Sequence, residues 1–204
     1  MAQYILELQN LSPLTTKAAH QNIILNQERD TWENKMKQDR KSHIDTLRRK
    51  KQKILILSDW LEHFNLATAS SCSITDFISV ENTTNLKLLF YERIKNDLAV
   101  TNNNWPLNDS DALFEHIASM TSSPFPENIV LFNNVDDIIG ALCVQAQTVL
   151  INAKSVWEIV GEDLRIASKD MKNGLCLGKE YYSIDGEYIS SGVYQLTGWG
   201  IFRS

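Results

Sequence analysis

Apolar residues in the first third of the chain recur three, four or seven positions apart, among residues that favour helix. There is no glycine or proline from Thr15 to about Phe64, and this heptad-like spacing predicts helix throughout the segment. The apolar positions are Leu25, Trp32, Met36, Ile44, Leu47, Ile54, Leu57, Leu61 and Phe64.

A polar stretch interrupts this pattern from Lys37 to His43, where no apolar residue occurs. A straight helix of about 45–50 residues would run roughly 70 Å, whereas a compact domain of this chain length is only about 45 Å across. The stretch is therefore either a connector between two antiparallel helices or the exposed middle of one protruding helix. We favour the hairpin.

Shorter patterns predict one element before the long helix and several between that helix and residue 134. An apolar run at Tyr4–Leu8 predicts a strand that pairs with a C-terminal sheet. Helical spacing and composition predict helices at Thr84–Leu98 and Ser110–Met120, loops at Thr101–Pro106 and Thr121–Pro126, and a strand at Glu127–Phe132.

Residues 134–174 predict two consecutive helices. The first begins at Asn134 as N-cap and carries apolar residues at helical spacing as far as Leu150. A capping box of Ser155 and Glu158 predicts the second, which ends at Gly174. The alternative for part of this region is a β-hairpin over Val156–Ala167, turning at Gly161-Glu162.

The C-terminus carries the clearest hairpin signal in the sequence. Two alternating β-branched and aromatic runs in Tyr181–Ser190 flank Asp185-Gly186, and Gly192–Phe202 predicts a third strand. The fold class is therefore α+β: a predominantly helical N-terminal part with a long helix or helical hairpin, and a small antiparallel β-meander at the C-terminus. We expect a part at 1–126 and another at 127–204, forming one continuous globular unit.

Charge is divided unevenly along the chain, whose net charge is −5. Residues 1–60 hold 11 Lys/Arg and 7 Asp/Glu, whereas residues 61–204 hold 9 and 18. Lys35–Lys53, which we call the basic segment, has nine basic residues opposed only by Asp39 and Asp45. Such polarity favours electrostatically guided association with a partner.

Three cysteines without CxxC spacing fit a reducing compartment, and the N-terminus lacks the features of a signal peptide. We therefore expect a cytoplasmic protein. No phosphate-binding loop, dinucleotide-binding motif, zinc-protease motif or nucleophile elbow occurs in the sequence. The sequence gives no indication of a cofactor.

Two groups of residues could carry chemistry, although each has a plain structural explanation. Carboxylates near His116 could hold a divalent cation, but they also suit the start of a helix; they are Asp109, Asp111 and Glu115. Cys72, Cys143 or Cys176 could act as a thiol nucleophile, although Cys143 and Cys176 have the pattern of small core residues.

Two other groups could bind a partner. The cations Arg48, Arg49, Lys50, Lys51 and Lys53 could contact phosphates, an acidic protein face or a membrane surface. Aromatic residues of the C-terminal strands could form an interface or a stacking platform, and we select Tyr182, Tyr188 and Trp199. Tyr182 and Tyr188 could share a sheet face near Asp185-Gly186.

These features favour a non-enzymatic cytosolic binding protein that docks on a macromolecular partner, and we expect this partner to be a protein. An immunity or inhibitor protein that neutralises a bacterial toxin, or an adaptor, would have this acidic, motif-free α+β character. One alternative is a nucleic-acid-associated protein that uses the basic segment. Another is a metal-dependent hydrolase around Asp109, Asp111, Glu115 and His116. The oligomeric state stays open.

Overall fold

The structure is a computed structural model of the 204-residue chain, and it describes residues 13–96, 101–122, 127–161, 163–184 and 187–202. Helices in the N-terminal part and an antiparallel sheet confirm the α+β fold class. The helices are α1 (Pro13–Thr68), α2 (Val80–Asn96), α3 (Ser110–Ser119), α4 (Asp136–Ile139), α5 (Ala146–Ile151) and α6 (Ala153–Val160). The strands are β1 (Thr101–Pro106), β2 (Asn128–Phe132), β3 (Leu142–Gln145), β4 (Leu164–Ala167), β5 (Gly174–Ile184) and β6 (Glu187–Trp199).

The chain divides into two compact units, Met1–Gln52 and Lys53–Ser204. The sheet belongs to the second unit and has the order β1-β6-β5-β4-β2-β3, with every pair antiparallel. β1 pairs with β6, so residues on both sides of position 126 contribute to one sheet. The strand predicted at Tyr4–Leu8 lies outside the described residues.

α1 is a single helix, so the preferred hairpin is wrong. Pro13 is its first residue, where a missing N–H costs no helical hydrogen bond, and the next proline or glycine is Pro106. The polar stretch Lys37–His43 is rich in lysine, glutamine and arginine, which favour helix when exposed. The helix ends before Ala69, whose φ of 50° is left-handed.

Strand β2 of the sheet is buried on both faces from residue 129 to residue 132. Residues Ile129 and Leu131 of β2 pack into one apolar cluster, and Val130 and Phe132 into another. Because successive strand residues point to opposite faces, a strand covered on both sides needs consecutive apolar residues, and positions 129–132 of β2 are all apolar. The first cluster also contains the C-terminal end of α1 together with α3, α5 and α6, and the second contains Phe90 of α2.

Strand β1 replaces the loop predicted at Thr101–Pro106. Three consecutive asparagines disfavour a strand, but the segment pairs with β6 from Thr101 opposite Gly198 to Pro106 opposite Val193. Trp105 packs against the first cluster, and a proline is tolerated at the end of an edge strand. Tertiary pairing therefore outweighs local preference here. Of the predicted loop Thr121–Pro126, positions 121 and 122 belong to a 3-10 turn that begins at Met120, and the next four lie outside the described residues.

The first helix predicted from Asn134 is wrong because strand β3 divides it. α4 ends at Gly140, whose φ is +92°. A Cβ atom at this position would lie 1.9 Å from the carbonyl oxygen of Ile78, so the chain can turn here only with glycine. β3 follows and pairs with β2.

The second predicted helix is also shorter than expected. α6 begins at Ala153, so Ser155 does not form the predicted capping box, and it ends at Gly161 with φ +95°. β4 then pairs with both β2 and β5. The alternative hairpin over Val156–Ala167 is wrong as well, because its first half is helical.

The other local predictions are confirmed with small shifts in their bounds. α3 and β2 agree with the predicted helix and strand to within one residue at each end, whereas α2 begins four residues before the predicted Thr84. β5 and β6 form the predicted hairpin, with Ile184 opposite Glu187; residues 185–186 lie outside the described part. The predicted third strand at Gly192–Phe202 is instead the continuation of β6, and the meander is completed by β4.

Candidate binding surface

The described side chains of α1 within the first unit are exposed on all sides of the helix. Between Lys35 and Gln52 these include eight Lys/Arg and two Asp, and every side chain in this range is exposed except the half-buried Asp45. Arg48 Nη1 lies 3.8 Å from Asp45 Oδ1, and the two side chains are 78% and 48% exposed. A surface pair of this kind contributes little to stability. With eight Lys/Arg and two Asp, residues 35–52 present a net charge of +6 to solvent.

Large apolar side chains are exposed among these cations. Trp32 is 63%, Met36 51% and Leu47 52% exposed. At about 100° per residue these three lie within about 60° of one another around the helix. We call them the apolar stripe; Ile44, which is 40% exposed, lies at its margin.

Two cations lie beside the apolar stripe. Arg40 follows Met36 by four residues, and Lys51 follows Leu47 by four. Side chains four apart are neighbours on a helix surface. One side of α1 therefore combines apolar contact area with positive charge.

The chain matches no known protein family, and comparisons with curated proteins and with solved structures gave no match.

The predicted cations all lie on α1 and are exposed. Arg48, Arg49, Lys50 and Lys51 belong to the first unit, and Lys53 is the first residue of the second. Nothing in the sequence prediction singled out Trp32, Met36 and Leu47 as surface residues. The available signal was the position of Met36 and Leu47 inside the basic segment and of Trp32 just before it, because cations are seldom buried without a partner.

Trp199, the third predicted aromatic contact, is a core residue and not a surface residue. It is 1% exposed, and its ring centroid lies 5.2 Å from that of Phe90. Its selection as a partner-binding residue is therefore wrong. Tyr194 of the same strand is 8% exposed and packs against Trp157 at 5.0 Å.

The side chains of Tyr182 and Tyr188 lie outside the described part of the structure. Their backbones belong to β5 and β6, and Tyr188 lies opposite Ser183. Their proposed shared face stays a prediction.

Two of the four metal-competent residues near α3 have other contacts. Asp111 pairs with Lys154, with Oδ1 and Nζ 2.8 Å apart, and this hydrogen bond and charge raise the pKa of Lys154. The His116 ring lies 5.4 Å from that of Trp105. Among the described residues, no group of three or more His, Cys, Asp or Glu side chains could hold a metal ion. The hydrolase alternative thus gains no support from this region.

All three cysteines are free thiols, and two of them have raised pKa values. Burial raises the pKa of Cys176 to about 12, and the charge of Asp163 adds to the effect. Burial also raises the pKa of Cys72, against a hydrogen bond from Ser70 that lowers it. A catalytic thiol needs the opposite shift, so neither environment favours a nucleophile. Within the described ranges, no helix is long and apolar enough to cross a membrane.

Proposed function

We propose that this protein is a non-enzymatic binding protein that docks on a macromolecular partner through α1, and that the partner is an acidic protein. The observation that supports this most directly is the apolar stripe lying beside Arg40 and Lys51 on an exposed helix. An amphipathic helix can lay its apolar face into a groove of a second protein, while charges at the margin select the partner.

The exposed apolar side chains favour a protein over a polyanion. Burying a large apolar side chain on binding contributes about 1.5–3 kcal/mol, whereas phosphate backbones offer no apolar groove. Tryptophan and arginine are enriched among the residues that dominate protein interfaces, and Trp32 and Arg40 lie on this side of the helix. An inhibitor, such as an immunity protein against a bacterial toxin, or an adaptor would work in this way in the cytoplasm, where free thiols persist.

The charge of the basic segment supports one alternative, association with nucleic acid. Eight exposed cations between Lys35 and Gln52 could contact phosphates. Such binding would weaken steeply as the salt concentration rises. The logarithm of the binding constant falls linearly with the logarithm of the salt concentration, with a slope of about −0.9 for each phosphate contacted on duplex DNA. It would not depend on the apolar stripe.

The test compares three variants of the full chain in co-purification from the native host. In the first, the apolar variant, Trp32, Met36 and Leu47 are each changed to Gln. In the second, the charge variant, Gln replaces each of Arg48, Arg49, Lys50 and Lys51. The matched control changes Gln38 and Gln52, which are exposed on α1 away from the stripe, to Ala. All replacements are compatible with helix, and circular dichroism verifies that each variant keeps its helix content.

A stoichiometric acidic protein should be recovered with the wild-type chain and the control, and be lost with both binding variants. The affinity of the purified pair should fall by at least about tenfold in each variant, because each removes several side chains that contact the partner. A tenfold loss corresponds to about 1.4 kcal/mol of binding free energy. Recovery of nucleic acid that only the charge variant loses would establish the alternative. No stoichiometric partner at all would contradict the proposal.

A further inference from the structure

The second unit contains a cleft of about 670 Å³ between α2 and the turn that joins β4 to β5. α2 contributes Leu89, Glu92, Arg93 and Asn96, and the turn contributes Lys169–Lys172. Small-molecule sites typically have volumes of about 300–1,000 Å³. None of these residues belongs to the surface discussed above, so an inference about the cleft is independent of the proposed function.

Hydrogen bonds fix the turn on its side of the cleft. The Ser168 N–H donates to the carbonyl of Asn173 at 2.9 Å, and the Met171 N–H donates to the carbonyl of Ser168 at 2.9 Å. The Asp170 carboxylate accepts from the Ser168 hydroxyl at 2.6 Å and from the Lys172 N–H at 3.2 Å. The cleft wall is therefore preorganised, which lowers the entropic cost of binding.

Positive charge is concentrated around this cleft within an acidic part of the chain. Residues 61–204 have 9 Lys/Arg, and three of them line the cleft: Arg93, Lys169 and Lys172. Asp170 is already paired with Lys172, with Oδ2 and Nζ 3.1 Å apart, which leaves Glu92 as the other carboxylate of the lining.

Lys169 differs from Lys87 and Lys154, two other cations of the second unit. Lys87 pairs with Asp136 and Lys154 with Asp111, each at 2.8 Å. Lys169 is exposed and makes no ion pair within the part of the chain that the structure describes. Its ammonium group can therefore turn to an incoming anion without breaking an existing pair.

The cleft also offers apolar contact area. Met171 is nearly buried at 6% exposure, and Leu89 is half exposed. Sites for organic ligands combine such apolar lining with a few polar groups that fix the orientation. We propose that this cleft binds a small phosphorylated organic compound, with its phosphate near Lys169 and Arg93 and its organic part on Met171 and Leu89.

Phenyl phosphate, inorganic phosphate and phenol are suitable probes, titrated into the full-length protein and followed by amide chemical shifts in NMR. Phenyl phosphate should shift resonances of residues 89–96 and 168–173 with a Kd of about 1 mM or below, and inorganic phosphate should bind at least about fivefold more weakly because it lacks the apolar contact. Phenol, which carries no phosphate, should bind at least about tenfold more weakly than phenyl phosphate.

Lys169→Ala should weaken phenyl phosphate binding about five- to tenfold, and Lys95→Ala is the matched control, because α2 carries this exposed lysine outside the cleft lining. Thermal unfolding verifies that both variants fold. Absence of shifts at the cleft overturns the proposal, as does equal binding by Lys169→Ala. Shifts confined to the basic segment would also overturn it while leaving the docking function of α1 untouched.

Discussion

The indole Nε1 of Trp199 donates a hydrogen bond of 3.0 Å to the main-chain carbonyl of Met171. The ring also lies directly over Gly174, where an added Cβ would be only 1.9 Å from the ring carbon Cζ2. Trp199, the last residue of β6, thus contacts the turn between β4 and β5. Its large ring fills the space that a side chain at Gly174 would otherwise occupy.

Replacing Trp199 by Phe should destabilise the protein by about 2–4 kcal/mol, because the Met171 carbonyl loses its donor and part of the ring volume becomes a cavity. Urea unfolding followed by circular dichroism measures this loss. Trp32→Phe is the control and should change stability by no more than about 0.5 kcal/mol, because that ring is 63% exposed. Equal effects of the two substitutions would contradict the assignment of Trp199 to the core.

A second prediction concerns the ion pair between α2 and α4. Asp136 is 3% exposed, and its Oδ1 lies 2.8 Å from Lys87 Nζ. Lys87→Met should destabilise the protein by about 2–4 kcal/mol, because it leaves a buried carboxylate without its cation. Urea unfolding provides the measurement.

The double variant Lys87→Met/Asp136→Leu tests the cause of that loss. Removing both charges leaves no unpaired ion, so the double variant should be more stable than Lys87→Met alone. A double variant less stable than the single one would show that the side chains stabilise the structure by something other than their charges.

The elements that the sequence predicted well carry their signals locally. α3 begins at Ser110, its predicted start, because an acidic first turn and apolar spacing specify a helix without help from distant residues. The β5–β6 hairpin follows from alternating runs on either side of Asp185-Gly186. Such patterns need no knowledge of the partner strands.

The missed elements depend on contacts with distant residues. β1 has three asparagines and is a strand only because Thr101–Pro106 pairs with β6. β3 has the same helical apolar spacing as its neighbours, and its pairing with β2 decides its conformation. Local preference is weak compared with such tertiary contacts.

The exposed charges of the candidate surface could be predicted from the sequence, but the burial of Trp199 could not. Cations such as Arg48 and Lys51 are seldom buried without a partner, so their exposure followed from the sequence. The surroundings of an aromatic residue on a strand depend on what packs against that face, and Trp199 is covered by Phe90 from α2. Sequence periodicity alone does not identify that neighbour.

Two glycines at helix ends should differ in their tolerance of a side chain. Both have positive φ, +92° at Gly140 and +95° at Gly161, which costs about 1–2 kcal/mol for alanine. At Gly140 the new Cβ would also collide with the Ile78 carbonyl oxygen at 1.9 Å, whereas at Gly161 the nearest atom is 3.3 Å away on Asn134.

Gly140→Ala should therefore destabilise the protein by about 3 kcal/mol or more, and Gly161→Ala by about 1–2 kcal/mol. Thermal or urea unfolding of the two variants gives the comparison directly. If Gly140→Ala destabilised the protein less than Gly161→Ala, the close approach of Gly140 to the Ile78 carbonyl would be incorrect.

The turn between β4 and β5 should have a pH dependence of its own. Hydrogen bonds from the Ser168 hydroxyl and the Lys172 N–H lower the pKa of the Asp170 carboxyl from 3.8 to about 2. A lowered pKa means that the folded state favours the charged carboxylate, so its stabilising contribution is present above about pH 4 and is lost as the pH falls through about 2.

Carboxyl carbon NMR should show Asp170 titrating well below a free aspartate, and Ser168→Ala should raise this pKa because it removes the first of the hydrogen bonds. Asp170→Asn should be less stable than the wild type near pH 6, and the difference should shrink between about pH 4 and 2 as the wild-type carboxylate becomes protonated. Asp137→Asn, which changes an exposed aspartate of α4, is the matched control. A constant difference between wild type and Asp170→Asn over that range would mean that the charge of Asp170 does not stabilise this turn.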